Sequence, residues 1–240
     1  MDTDIAGGAI AALSNALARV RQHHVERAAD LRLARALAEL GDWQARRLKL
    51  TYADLEGMPR YAAAIAFFET DLYGGGDFAQ RDADLARVVP AMKRLMPEHV
   101  IATVATAIEL AALSQDLDRA MVNALRSTSA LTVRDYCEAY RAVGRFDARL
   151  RQIDLTGDIG AALDRMVGKS VIRAALTMMR KPARLAGLAT LQDFLERGFA
   201  AFAQMRGAGE FLATIRQRET AIHTAIAEGS DAPFPDPCAE

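Results

Sequence analysis

The stretch VIATVATAIELAAL, at residues 100–113, decides the fold, because its only polar residues are Thr103, Thr106 and Glu109. A helix with apolar side chains on nearly every face is normally buried by other elements. We therefore expect this segment to form a helix in the middle of the domain. The other helices should wrap around it.

The rest of the chain is also rich in helix-forming residues, with many alanines and leucines and few β-branched runs. Its 240 residues, 51% hydrophobic and 25% charged, have the composition of one globular domain. No segment reads as a strand, and no solenoid repeat is visible. The sequence predicts an all-α fold, a compact bundle of about eight helices in a single domain over residues 1–228. Residues 229–240, with three prolines, are expected to be a disordered tail.

Local start and stop signals divide the chain into helices. A long first helix is predicted over residues 10–40, with Gly41 as its C-terminal cap and Asp42 starting the next helix. Thr132 is expected to cap a helix that Gly144 ends. Further helices are predicted over about residues 43–55, 60–73, 78–95, 146–167, 169–180, 188–205 and 209–227.

Charge and cysteine usage restrict the location and the partners. The net charge is only −1, so the whole chain offers no general attraction to nucleic acid or anionic lipid. Residues 1–4 read MDTD, acidic where a signal peptide would be basic, and no uncharged apolar run is long enough to span a membrane. Cys137 and Cys238 have no disulfide or metal-ligand spacing. We expect a cytoplasmic protein with no transmembrane segment and no specific nucleic-acid partner.

One segment carries a family resemblance. Residues 67–78 read FFETDLYGGGDF, and residues 81–90 read RDADLARVVP. The segment resembles an uncharacterised bacterial family marked by the motif FFLEELY, with ETD at residues 69–71 where that motif has LEE. The resemblance extends over about residues 52–121. It implies a bacterial, cytoplasmic, helical protein, and it implies no activity, cofactor or catalytic residue.

Catalytic and cofactor motifs are weak. GGGDFA at residues 74–79 matches a relaxed dinucleotide fingerprint, and GKS at residues 168–170 ends like a phosphate loop, but neither follows a strand. Di-iron sites in helical bundles need histidines three residues after glutamates. None of the four histidines has that neighbour: His23, His24, His99 and His223. The sequence therefore predicts no metal and no cofactor, and it leaves enzyme activity open.

A basic stretch lies between Asp164 and Asp193, with six cations and no acid. Three of the cations, Arg165, Lys169 and Arg173, lie four residues apart and would share one face of a helix. Such a face is often only solvated. The other interpretation is a binding face for an acidic protein partner, a phosphate-bearing ligand or an anionic membrane. On either interpretation, we expect the three side chains to be exposed.

Glu109 is the one carboxylate within the apolar stretch. Its burial would cost on the order of several kcal/mol unless a base or a hydrogen bond compensated the charge. We expect it to be largely buried and joined to Arg60, Tyr61, Arg81 or Arg87 from the preceding helices. The pair would be structural on one interpretation, and on the other it would line a ligand pocket.

These features favour a non-enzymatic helical domain for protein interaction or regulation, which associates with itself as a homo-oligomer or with an acidic partner. The alternative is a binding protein or enzyme for an apolar or anionic small molecule, with Glu109, Tyr61, Arg81 and Arg87 in its pocket. A closed core with an exposed apolar patch would support the first function. A deep pocket with convergent polar groups would support the second.

Overall fold

The computed structural model describes residues 2–73, 83–89 and 98–238. Every regular element in these ranges is a helix, which confirms the all-α fold class. The same ranges contain eleven α-helices, so the prediction of about eight was wrong. In chain order the helices are α1 (Asp2–Ala29), α2 (Leu31–Thr51), α3 (Ala53–Glu56), α4 (Ala62–Phe67), α5 (83–89), α6 (Glu98–Ala124), α7 (Val133–Val143), α8 (Phe146–Val167), α9 (Ser170–Leu185), α10 (Ala189–Met205) and α11 (Gly209–Ala227). A π-helical turn over Phe68–Tyr73 continues α4.

The first predicted helix, over residues 10–40, is two helices in the structure. α1 ends at Ala29, and the side chain of Asp30 caps α2. It accepts hydrogen bonds from the backbone N–H groups of Arg32 and Leu33, at 2.9 and 3.0 Å. The cap satisfies two of the donors that every helix start leaves unpaired. This extra break is one reason why the helices outnumber the prediction.

α2 continues through Gly41, where the sequence predicted a helix end. A glycine inside a helix costs only about 1 kcal/mol relative to alanine. Leu40 and Trp43 on either side of it are 0% and 1% exposed. Their burial outweighs the local preference of the glycine, so the helix does not stop.

Other predicted boundaries are confirmed. α7 begins after Thr132, which forms a reciprocal capping box with Asp135. It is followed by Gly144, which has a left-handed φ of 65° and caps its C-terminal end. α8 spans Phe146–Val167 and α11 ends at Ala227, both as predicted.

α6 contains the apolar stretch, and it packs along α1 while also contacting α2, α7 and α8. Ile101, Ala105, Ile108 and Ala112 are buried at helical spacing on one face of this stretch, and Leu113 is buried on another. Val104 and Leu110, on other faces, are only partly buried. The helix therefore has several neighbours as predicted, but the expectation of burial on nearly every side was wrong.

Two apolar clusters form most of the core. The largest joins α2, α4, α8, α10 and α11 around the buried side chains of Phe202, Met205 and Phe211. The second joins α2, α6, α7 and α11 around Trp43, whose ring stacks on Tyr136 with the centroids 4.7 Å apart. These clusters fix α10 and α11 against the first half of the chain.

The C-terminal tail packs against the second cluster, so the expectation of disorder for residues 229–240 was wrong for its described part. Phe234 is only 8% exposed, and its ring lies edge-on to Trp43 at 6.0 Å between centroids. Arg141 anchors the chain before it through an ion pair with Asp231 at 2.5 Å. Proline and polar composition suggested disorder, but one buried aromatic ring and one ion pair hold the segment in place.

Candidate functional site

Glu109 lies at the surface. Its side chain is 42% exposed and pairs at 3.2 Å with Arg151 of α8, whose side chain is 52% exposed. The expectation of a buried carboxylate joined to a residue of the preceding helices was therefore wrong. Because α6 is covered mainly on one face, Glu109 can reach solvent while its neighbour Ile108 stays buried.

The other residues predicted to share that pocket have different partners. Arg87 donates to two backbone carbonyl oxygens after the C-terminal end of α9, at 2.7 and 3.3 Å. Arg60 and Tyr61 both hydrogen-bond to one glutamate of α11, at 3.0 and 3.1 Å. Arg81 lies outside the described residues. Within the described ranges, none of these side chains forms a hydrogen bond or ion pair with Glu109, so the structure does not support this pocket.

Glu109→Ala is expected to change the free energy of unfolding by less than about 0.5 kcal/mol, because exposed ion pairs contribute little to stability. Urea melts of the variant and the wild type measure this difference. Arg151→Ala is the matched control, and its effect should be equally small. A loss of about 3 kcal/mol in Glu109→Ala would contradict the exposed position.

The predicted basic face is exposed, but it does not belong to one helix. Arg165, Lys169 and Arg173 are all exposed, as expected. α8 ends at Val167, so Arg165 and Arg173 lie on different helices with Lys169 between them. The shared helix face inferred from their spacing was wrong, because the helix breaks at Gly168. Anion binding by these three residues stays a prediction.

A shallow depression of about 370 Å³ lies where α8 ends and where α10 turns into α11. Arg173, Arg206 and Asp164 line it, together with the largely buried ring of Phe202. The depression is open to solvent and its arginines are exposed. It therefore lacks the enclosure of a small-molecule pocket.

α9 exposes a line of apolar side chains that was not predicted from the sequence. Val171, Met178 and Leu185 are 76%, 78% and 89% exposed. Ala175 and Pro182 lie between them and are also exposed. The five positions are separated by four, three, four and three residues, which places them along one side of the helix. We call this line the α9 seam.

Another side of α9 packs against α10. Ala183 is buried there, and the Gln192 side chain donates to the carbonyl oxygen of Leu176 at 2.8 Å. Arg180 pairs with Glu196 at 2.7 Å. These contacts fix the rotation of α9 about its axis, so the α9 seam faces outward.

Cations lie on one edge of the α9 seam. Because successive residues of a helix are rotated by about 100° about its axis, Lys181 lies directly beside the seam. Arg184 lies further around the helix, and Arg173 lies further still, toward the depression. All three are exposed, and none makes an ion pair within the described ranges. We call Lys181 and Arg184 the basic edge. The opposite edge of the seam carries Met179, which is 50% exposed.

The segment FFETDLY, at residues 67–73, forms the end of α4 and the π-helical turn. Phe67 and Phe68 are buried in the largest core cluster. Asp71 pairs with Arg197 of α10, with 2.5 Å between Nη2 and Oδ1. The turn therefore ties α10, on which α9 packs, to the first half of the chain.

A cluster of polar side chains is buried among α2, α7, α8 and α11, and it was not predicted from the sequence. Arg47 pairs with Glu219 at 2.6 Å, and the Tyr52 hydroxyl donates to the same carboxylate oxygen at 2.8 Å. Arg149 is 7% exposed, and its guanidinium lies 4.9 Å from the centre of the Tyr140 ring. The cluster joins helices that are far apart in the sequence, so no local pattern could have revealed it.

Two further hydrogen bonds extend this cluster. The Tyr140 hydroxyl lies 2.7 Å from Nδ1 of His223. The Gln44 side-chain amide donates to Asp118 of α6 at 3.1 Å. Buried polar groups of this kind are costly unless they are paired, so these bonds stabilise a particular arrangement of the four helices and α6.

Burial shifts the pKa of several groups near these contacts. It raises the pKa of Asp118 and of Tyr140, although the charge of Arg149 opposes both shifts. It lowers the pKa of His223, and the charge of Arg149 adds to that shift. Burial also raises the pKa of the Cys137 thiol to about 11. This thiol therefore stays protonated at neutral pH, which makes it a poor nucleophile.

The protein is expected to lose stability as the pH falls below about 6.5, because His223 is held in its neutral form. Since burial lowers its native pKa, the unfolded chain takes up a proton at a higher pH than the folded protein does. This stabilisation is present above about pH 6.5 and is lost as the pH falls through the native pKa. Urea midpoints of the wild type and His223→Asn, measured from about pH 5 to 8, test it.

The His223→Asn profile should lack this part of the slope, because asparagine can keep the bond to Tyr140 without titrating. The contribution of Asp118 is present in both proteins and cancels in the difference. His24→Asn, which changes a histidine of α1, is the control and should keep the slope. Parallel profiles for wild type and His223→Asn would show that His223 is not held neutral.

Over the described residues, no group of three or more His, Cys, Asp or Glu side chains is placed to hold a metal ion. One helix, Val100–Ala124, is long and apolar enough to cross a membrane, although no such segment was predicted. One such helix is weak evidence of a membrane span, because the core helix of a soluble protein can have the same length and composition; 28% of the apolar stretch is buried inside the domain.

Comparison with known proteins yields a family and no individual relative. No curated protein and no solved structure matches the chain. A family model described as a domain of unknown function, DUF8198, matches residues 22–233. The match includes the π-helical turn, the buried polar cluster and all of α9. The chain therefore belongs to the family of the domain of unknown function DUF8198.

Proposed function

We propose that this chain is a non-enzymatic protein-interaction domain, which binds an acidic partner protein through α9. The observation that carries the proposal is the α9 seam, in which Val171, Met178 and Leu185 are each at least 76% exposed. Large apolar side chains in one contiguous line on an exposed helix are typical of a surface that another molecule covers.

Burial of the α9 seam would contribute a moderate free energy of binding. Full burial of a valine, leucine or methionine side chain is favourable by about 1.5 to 3 kcal/mol. The three large side chains together would contribute roughly 5 to 9 kcal/mol, before the entropic costs of association are subtracted. We therefore expect a transient complex, to which the neighbouring charges add specificity.

The cations beside the α9 seam favour an acidic partner. Lys181 and Arg184 have no ion pair within the described part of the chain, and α9 contains no acidic residue. Two copies that met at α9 would gain no ion pair and would bring cations together, so self-association through this helix is disfavoured. A homo-oligomer formed through another surface stays a prediction.

The position of the reactive groups supports the non-enzymatic part of the proposal. The Cys137 thiol is buried and protonated, and His223 and Tyr140 are hydrogen-bonded to each other inside the domain. The small-molecule alternative depended on a pocket around Glu109. That carboxylate pairs with Arg151 in contact with solvent, which does not support a pocket built on Glu109.

We also propose that this protein is cytoplasmic and related to the bacterial FFLEELY-motif proteins. The support is the sequence FFETDLYG at residues 67–74 and the presence of only two cysteines, neither of them in a disulfide. Fractionation of the producing cells, with antibody detection of the chain, tests the location. Recovery in the membrane or exported fraction would contradict it.

Site-specific photocrosslinking in the producing cells tests the interaction. A photoreactive amino acid replaces Met178 in the α9 seam, and in a second strain it replaces Gln217, an exposed residue of α11. We expect the Met178 position to yield a discrete crosslinked product that contains a second protein.

The Gln217 position is the matched control and should yield no such product. Mass spectrometry identifies the captured chain, and its contact segment should carry a net negative charge. Equal crosslinking at both positions, or none at Met178, would contradict the proposal that α9 is a docking surface.

A further inference from the structure

We infer that the partner presents an acidic amphipathic helix, which packs lengthwise along the α9 seam as one helix of a short coiled coil packs on another. This inference rests on the proposed function and specifies the chemistry of the partner segment. It follows from the spacing of the seam, from the sizes of its side chains and from the one-sided placement of the cations.

The spacing of the α9 seam matches a helical partner. Steps of four, three, four and three residues average 3.5, which is the repeat that keeps a row of side chains facing a second helix. Val171, Met178 and Leu185 occupy the d positions of this pattern, and Ala175 and Pro182 occupy the a positions. The seam is about 21 Å long, which corresponds to two heptads.

The sizes of the side chains also match. The three large members alternate with the two small members, so the seam presents protrusions separated by hollows. Side chains of a facing helix can enter the hollows over Ala175 and Pro182, as ridges enter grooves in helix packing. Met178 and Met179 are flexible and polarisable, so they can adapt to the side chains of the partner.

The basic edge predicts where the partner carries its acids. With the seam at d and a, Lys181 occupies a g position, where charged side chains reach across to the facing helix of a coiled coil. Arg184 lies on the same side, one turn further on. Glutamates at the flanking positions of the partner would pair with Lys181, while Arg184, at the neighbouring c position within electrostatic reach of Glu196, would add to the positive potential of this edge.

A protein helix fits this surface better than a lipid bilayer does. α9 contains no tryptophan or phenylalanine of the kind that anchors interfacial helices, and Leu185 is the one leucine of its seam. The neighbouring α10 also carries acids: Glu196 pairs with Arg180 at 2.7 Å and raises its pKa, and Asp193 adds to that shift. The heptad spacing of the seam matches the facing side of a second helix and has no counterpart in a bilayer, which favours the protein partner.

Fluorescence anisotropy with designed peptides tests the inference on the full chain. The probe is a labelled three-heptad peptide with leucine at the a and d positions and glutamate at the e and g positions. The glutamates of two such peptides would repel each other, so the peptide stays monomeric. The comparison peptide is identical except for lysine at e and g. We expect the acidic peptide to bind at least about tenfold more tightly than the basic peptide at low salt.

Two variants and one control define the contact. Met178→Asp should abolish binding while leaving the thermal unfolding midpoint unchanged, because this side chain is 78% exposed. Lys181→Glu/Arg184→Glu should reverse the preference, so that the basic peptide binds better than the acidic one. Arg46→Glu/Arg126→Glu makes the same change in net charge at exposed positions of α2 and the α6–α7 loop, and it should keep the wild-type preference.

The outcomes separate the inference from the proposed function. Equal binding of both peptides, or an unchanged preference in the Lys181→Glu/Arg184→Glu protein, overturns the acidic helix. Binding to phosphatidylglycerol vesicles without binding to the acidic peptide overturns it in favour of a membrane surface. If neither peptide binds but the photoreactive residue at position 178 still crosslinks to a protein in cells, α9 is a docking surface and only the inference of a helical partner is wrong. If both experiments fail, the two proposals fall together.

Discussion

Trp43→Ala is expected to lower the free energy of unfolding by about 4 kcal/mol. The indole is 1% exposed, stacks on Tyr136 at 4.7 Å between centroids and contacts the Phe234 ring edge-on. Its Nε1–H donates to the carbonyl oxygen of Leu131 at 2.8 Å. The substitution therefore leaves a cavity and also an unpaired buried acceptor.

Guanidinium melts followed by far-UV circular dichroism measure the effect, because Trp43 is the only tryptophan and its fluorescence disappears with it. Trp43→Phe keeps the aromatic contact and loses the N–H donor, so it should cost about 1 to 2 kcal/mol. Leu31→Ala is the control on the same helix. Leu31 is 82% exposed, and its replacement should change stability by under about 0.5 kcal/mol. A Trp43→Ala midpoint close to that of Leu31→Ala would contradict the position of Trp43 in the core.

The parts of the fold that depend on local chemistry were predictable from the sequence. The all-α class follows from composition, and Thr132 and Gly144 bound α7 because capping involves only residues within one turn. Gly41 shows the limit of such signals. Its local preference for a helix end is weaker than the burial of the side chains around it, and burial depends on the whole fold.

Two predictions failed because they required knowledge of tertiary neighbours. The apolar composition around Glu109 suggested burial, but the rotation of α6 is set by its contact with α1, and the carboxylate turns to solvent. Phe234 is held by Trp43 and Arg47, which are about 190 residues earlier in the chain. The composition of a segment does not reveal whether a distant pocket exists for one of its rings.

The α9 seam is a different case, because its signal was present in the sequence. Val171, Ala175, Met178, Pro182 and Leu185 follow a heptad pattern that can be read without a structure. The basic residues interspersed with them predict a charged face instead. Only the packing of α9 on α10 shows that this apolar line is the side left uncovered.

Arg47→Ala is the second substitution with a large expected effect, a loss of about 3 kcal/mol in the free energy of unfolding. The Arg47 and Glu219 side chains are 9% and 20% exposed, and their charges are 2.6 Å apart. Removal of the guanidinium leaves the carboxylate poorly hydrated, with the Tyr52 hydroxyl as a hydrogen-bond donor and without its cation. Urea melts at neutral pH measure the loss.

A double-mutant cycle separates the charge from the packing. Arg47→Met keeps most of the side-chain volume, and we expect Arg47→Met/Glu219→Gln to be more stable than Arg47→Met alone, because the second change removes the uncompensated charge. The ion pair between Arg216 and Asp154 is the matched control, since it has the same 2.6 Å separation while its side chains are 62% and 44% exposed. Arg216→Ala should cost under about 0.5 kcal/mol. Equal losses for Arg47→Ala and Arg216→Ala would mean that water reaches the Arg47–Glu219 pair, and the polar cluster would then not be part of the buried core.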